Sequence, residues 1–166
     1  MRIPLIRATF LTMILGTPLA LAADTSLVLV SPQEFAAEQL ARTKRADDGR
    51  TAGAVYDAEV WNRSLDAPLI EVISPDVTQD LQSPIDIDIR FTATAGAMIA
   101  LHTVRVRYGV IGLDMTERLR NVGAVTKEGI RARGALLPLG EHSMIVDVQD
   151  TRGNRTQHRF TLRIVE

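Results

Sequence analysis

The sequence contains no cysteine. That excludes disulfide staples, thiol nucleophiles, zinc–thiolate centres and a lipidated N-terminal cysteine, and leaves the core alone to stabilise the fold. Aromatic residues are scarce, at 4 % with a single Trp, which argues against a platform of exposed rings for sugars or single-stranded nucleic acid. An excess of either charge is also missing. The 19 basic and 20 acidic residues leave a net charge of −1, so no overall field draws the chain to nucleic acid. Lysine is nearly absent: Lys44 and Lys127 are the only two, and the other basic residues are arginines. No G-x-S-x-G elbow, H-E-x-x-H pair or P-loop occurs, and no catalytic residue is expected.

What is present suits one domain with an appendage: 166 residues, 46 % hydrophobic and 23 % charged, a globular rather than a disordered balance. The opening "MRIPLIRATFLTMILGTPLALAAD" places Arg2 and Arg7 before an apolar stretch that ends in small residues. This is the plan of a secretory signal peptide. Ala20 and Ala22 fit a cut after Ala22, so residues 1–22 are expected to be removed. The arginines are not adjacent, which indicates a Sec-type rather than a twin-arginine signal. The apolar run is shorter than the roughly 20 residues of a span and holds Pro18. The expectation is a periplasmic or secreted protein with no stable membrane insertion after cleavage.

Residues 23–67 read as an irregular N-terminal arm with a short helix near residues 32–44. Ser31 is placed as N-cap, Pro32 at the first helical position and Glu34 as the return partner of a capping box. Phe35, Ala36, Ala37 and Leu40 give only a thin apolar stripe. "TKRADDGRTAG" then has no periodic face and is expected to be the mobile part. Tyr56 and Trp61 follow, outside the proposed sandwich, with Trp61 expected as a plug on its edge.

From Pro68 the period changes to two. In "PIDIDIRF" Ile85, Ile87, Ile89 and Phe91 share one face; "TVRVRY" puts Val104, Val106 and Tyr108 inward. "HSMIVDVQD" and "HRFTLRIV" continue the alternation with His142, Met144, Val146 and Val148, then Phe160, Leu162 and Ile164. "VGAVTKEGIRARGALLPLG" is weaker and is expected to hold two short strands, while "DMTERLRN" reads as a crossover between sheets. Turn signals such as "SP", "LPLG" and "TRGN" separate these runs. About seven short strands at this spacing predict an all-β, antiparallel sandwich over residues 68–166.

"IEVISP", "LQSPIDIDIRF" and "LPLGEHSMIVDVQDTRGNRTQHRFTLRIV" together resemble bacterial immunoglobulin-like domains of exported proteins. The G-x-H-x-M-x-V-x-V-x-D-x-x-G-N rhythm from Gly140 to Asn154 is the closest part. The resemblance implies an immunoglobulin-like sandwich and a role as an adhesion, spacer or accessory binding module. The same opening also resembles periplasmic copper-binding proteins of the CopC type. Those use an N-terminal histidine, whereas the mature chain would begin Ala23-Asp24.

Two groups of residues invite a functional reading. His142 and His158 flank the last hairpin and, facing each other, would make a metal pair; no metal or other cofactor is expected, because core packing and solvent exposure account for them more simply. Asp147, Asp150 and Asn154 match no calcium loop and read as turn chemistry. The second group is a sheet face. With "TVRVRY" beside "SMIVDVQ" and that beside "HRFTLRIV", alternation puts Arg105, Arg107, Arg159 and Arg163 on one outer surface against a single carboxylate, Asp147. Arginine forks suit carboxylate and phosphate groups. These four are the candidate binding residues of a non-enzymatic exported module for an anionic glycan or an envelope partner protein, with no role for nucleic acid. The alternatives are a small CopC-like metal-binding protein and an accessory subunit of an envelope enzyme.

Overall fold

The computed structural model describes residues 27–48, 66–94, 96–122 and 124–166. The expected signal peptide at 1–22, and Tyr56 and Trp61, lie outside the described residues. In chain order the elements are β1 (Leu27–Val28), α1 (Pro32–Asp47), β2 (Leu69–Ser74), β3 (Asp80–Gln82), β4 (Ile85–Thr92), β5 (Arg105–Tyr108), β6 (Leu113–Asp114), α2 (Thr116–Asn121), β7 (Gly129–Leu136), β8 (Gly140–Gln149) and β9 (Arg155–Val165).

The strands form two facing sheets, one in the order β1-β7-β4-β2 and the other in the order β3-β9-β8-β5-β6. Alternation drives this arrangement. Ile85, Ile87, Ile89 and Phe91 on β4 are all buried, while Asp86, Arg90 and Thr92 between them are exposed. On the second sheet Val106, Tyr108, Met144, Val146, Val148, Phe160, Leu162 and Ile164 turn inward and join the same core. Each such side chain contributes about 1.5–3 kcal/mol by leaving water. A cavity of about 20 Å³ between the sheets is lined only by apolar residues, Leu29, Val106 and Met144 among them. It is far too small for an organic ligand.

The sheets are mixed, which corrects the expectation of purely antiparallel pairing. β1 runs parallel to β7, and β3 parallel to β9. The strands number nine among the described residues rather than about seven. The extra ones, β1, β3 and β6, have two or three residues each, too few for an alternation to register in sequence. "VGAVTKEGIRARGALLPLG" yields one strand, β7, with an isolated bridge between Val125 and Ile130 where a second was expected. "DMTERLRN" lies across β6 and α2, and it does carry the chain from the second sheet to the first.

The described part of the expected arm is built into the sandwich. β1 extends the first sheet, and Leu29 and Val30 enter the core. α1 begins as its sequence indicates: Ser31 Oγ accepts from Glu34 N at 3.2 Å and the Glu34 carboxylate accepts from Ser31 N at 2.8 Å. It runs to Asp47 rather than stopping near residue 44, because no Gly or Pro interrupts it before Gly49 and Lys44 and Arg45 complement its C-terminal dipole.

Candidate functional site

The outer face of the second sheet is assembled from β5, β8 and β9. Arg105 lies opposite Asp147, and Arg107 opposite Ile145. Ile145 in turn faces Arg159, Thr161 faces Ser143 and Arg163 faces Glu141. All four candidate arginines therefore share one face, as alternation predicts. Arg155 adds a fifth, opposite Gln149.

The electrostatics differ from the single carboxylate expected. Edge strands bring Asp114 beside Arg107 and Asp80 beside Arg163, and Glu141 on β8 adds another. The correction follows from β3 and β6 being pairings that no sequence period announces. Arg163 reaches Asp80 at 3.5 Å, with both side chains more than half exposed, an interaction worth about 0–1 kcal/mol. Arg105 folds back to donate to the carbonyls of His102 and Val104 at 2.9 and 3.0 Å. Partial burial pushes the Asp114 carboxyl up, but hydrogen bonds from Thr116 and the charges of Arg105 and Arg120 outweigh it and leave it below the usual aspartate range.

Asp147 organises the face. It points outward by parity, yet it is buried, as is Ile145 two residues before it. Its Oδ2 accepts from Arg107 Nε and Nη2 at 3.1 and 2.5 Å, and its Oδ1 from Arg155 Nη2 at 2.7 Å. One buried carboxylate thus fixes two guanidinium groups, one from each neighbouring strand. Such pairs carry orientation as well as energy.

The histidines do not form a metal pair. His142 lies opposite Leu162, and His158 opposite Val146, so the two rings are two alternate positions apart along the ladder, roughly 13 Å at the usual rise per residue. His158 stacks on Phe160 with centroids 6.2 Å apart. His102 is exposed at a turn of 3-10 helix. Asp150 binds its own hairpin turn, accepting from Arg152 N, Asn154 N and Asn154 Nδ2 at 2.9 Å each. Among the described residues, no three His, Asp or Glu side chains are placed to hold a metal ion. Nor is any helix among them long and apolar enough to cross a membrane.

A second polar cluster lies where α1 meets the end of the sandwich. Glu38 of α1 is fully buried. Its carboxylate accepts from the backbone N–H groups of Val110 and Ile111 at 2.8 and 3.2 Å and from Arg42 Nε at 2.9 Å. The turn that offers those amides starts at Gly109, whose φ is +68°. A Cβ there would stand 2.1 Å from Glu38 Oε2, so only glycine admits the carboxylate. Beside it, His142 is fully buried between Phe35, at 5.0 Å centroid distance, and Tyr108, at 5.8 Å. Its Nε2 lies 2.8 Å from the Pro138 carbonyl and its Nδ1 3.1 Å from Tyr108 Oη. Burial pushes the His142 imidazolium pKa down; the Pro138 carbonyl opposes that, Arg42 adds to it and Glu38 opposes it. Burial, reinforced by the Glu38 charge, raises the Tyr108 phenol far above its ordinary range. Glu38 carries no sequence signal: an acid on a helix says nothing of a turn more than seventy residues later.

Comparison with family models, with curated proteins and with solved structures returned no match for this chain.

Proposed function

We propose that the chain is a non-enzymatic, exported, immunoglobulin-like binding module that recognises an anionic group of the bacterial envelope, an acidic glycan in the first instance, through the arginine-bearing outer face of β5, β8 and β9. The observation that carries this reading is Asp147, a buried carboxylate on an outward-facing position that locks Arg107 and Arg155 in place. Such an anchor fixes the direction of the two guanidinium groups. Arg105, Arg155 and Arg163 around it are exposed, and guanidinium forks match carboxylate and phosphate groups. The order β5-β8-β9 agrees with the neighbour relation an immunoglobulin-like sandwich would give these strands. The signal-peptide pattern of residues 1–22 supports export to the periplasm or beyond.

The test is retention of the protein on a sulfated polysaccharide resin at low salt, where surface electrostatics are least screened. Arg105→Glu with Arg163→Glu reverses two exposed charges outside the Asp147 anchor. Retention should fall to that of a neutral resin while the cooperative melt is kept. Unchanged retention of the folded double variant removes this face as the binding surface.

A further inference from the structure

We propose that α1 is a releasable strap over one end of the sandwich, undone in mild acid by protonation of His142, and that its release uncovers the Val110 and Ile111 amides and the His142 ring.

The strap is held by few attachments, most of them polar. Glu38 is the one residue of α1 that is fully buried, and Phe35 is its one side chain packed on the core. Leu40 on the same helix is 72 % exposed. Glu34 adds a further tie, taking Arg118 Nη2 at 2.7 Å, and Arg45 Nη1 is buried without a hydrogen bond. A helix of 16 residues is marginal in water without a docked face. The structure beneath is different: His142 sits in β8, laddered to β9, and Tyr108 in β5, laddered to β8. Of the elements covering the imidazole, α1 is the one that can lift without breaking a sheet.

The hydrogen bonds fix the neutral tautomer. The Pro138 carbonyl only accepts, so His142 Nε2 carries the proton and Nδ1 accepts from the Tyr108 hydroxyl. A second proton at Nδ1 makes the tyrosine turn and accept, which strands its own hydrogen in a site with no exposure. The new charge faces Arg42 and Glu38 from α1, the uncharged Tyr108 from β5, the Pro138 carbonyl from the β7–β8 loop and, in register, Leu162 from β9. Arg42 repels it. Glu38 attracts it, but that carboxylate is already committed to two amides and to Arg42. Lifting Phe35 hydrates the imidazolium directly, and Glu38, one turn along, leaves with it.

The experiment is hydrogen exchange on the full chain between about pH 7.5 and about pH 5.5, spanning the ordinary imidazole range and corrected for intrinsic exchange. Protection of the Val110 and Ile111 amides and of the α1 amides should fall together, by up to about tenfold per pH unit, the slope for one proton taken up on release. The Met144–Phe160 and Val146–His158 ladder should keep its protection. In His142→Gln the fall should vanish. If that variant does not fold, the ring protons of His142 in the wild-type chain supply the second readout, and the fall in α1 protection must level off at the pH where they titrate. Protection that persists while His142 titrates overturns the strap. So does a loss that includes the β8–β9 ladder, or one that survives in a folded His142→Gln chain.

Discussion

The Asp147 anchor yields a stability prediction in which exposure decides the order of effects. Arg107 and Arg155 approach it to similar closest distances, 2.5 and 2.7 Å, Arg107 through two N–H groups and Arg155 through one, but the Arg107 side chain is 23 % exposed and that of Arg155 57 %. Removing Arg155 costs little, because its half of the interaction is largely solvent-screened: about 0.5 kcal/mol, and no more than about 1. Removing Arg107 leaves a buried carboxylate with one exposed partner, and about 2–4 kcal/mol is expected. Asp147→Ala should fall near about 2–3 kcal/mol, since Arg155 rehydrates and Arg107 does so only in part. A double-mutant cycle on urea unfolding midpoints then gives coupling energies of about 2 kcal/mol for Arg107 with Asp147 and under about 1 kcal/mol for Arg155 with Asp147. These are large against a total stability of about 5–15 kcal/mol. Equal couplings, or a reversed order, would refute the argument that depth rather than distance sets the strength of these pairs. So would an Asp147→Ala chain as stable as wild type.

Gly109→Ala should evict Glu38 and destabilise by about 3 kcal/mol or more, since it adds a clash to an unfavourable φ, whereas Gly96→Ala, at φ +71° with nothing within 4 Å of the added carbon, should cost only about 1 kcal/mol; equal costs measured by denaturant unfolding would mean that the Glu38 seat is not tight. The Arg118 guanidinium, aided by the Ser31 hydroxyl and amide and opposed by burial, pulls the Glu34 carboxyl down to about 2. Glu34 therefore contributes stability that is present above its unfolded value near 4.5 and lost as pH falls toward about 2. After a discount for its partial exposure, Glu34→Gln should cost about 1–2 kcal/mol at neutral pH, with the cost shrinking steadily below about pH 4.5 and vanishing only below about pH 2; a cost that does not vary with pH would count against the Arg118 pair.

The parts of this molecule that could be read from sequence are those governed by a local period. The burial of alternate residues on β4, β5, β8 and β9 and the capping box at Ser31 and Glu34 each depend on neighbours a few positions away. The pairings of β1 with β7 and of β3 with β9 depend on where two distant segments arrive once the sheets have formed, and strands of two or three residues hold no period. The candidate face shows the same division. Parity placed Arg105, Arg107, Arg159 and Arg163 together, but parity assigns a side, not a depth, so the burial of Asp147 and Ile145 on the outer side was invisible. Asp80 and Asp114 reach the face on edge strands, which is why the expected excess of arginine is partly neutralised. Glu38 was hidden for a further reason: an acid on a polar helix has an ordinary explanation, and its backbone partners are named only by the fold.

The two parallel pairings also bear on how the chain reaches its fold. β1 cannot be seated until β7 exists, and β3 has no partner until β9 has been laid against β8. Leu27 waits for Ala135, and Asp80 for Arg163. Synthesis delivers residues in order, so most of the first hundred emerge without the strands that complete their sheets. Contacts this distant carry a closure entropy before they stabilise anything, which slows folding. During that interval β4 has β2 as its one partner, and the edge that β7 will cover is open to association with other chains. Truncation before β9 should therefore give an aggregation-prone polypeptide and not a smaller sandwich.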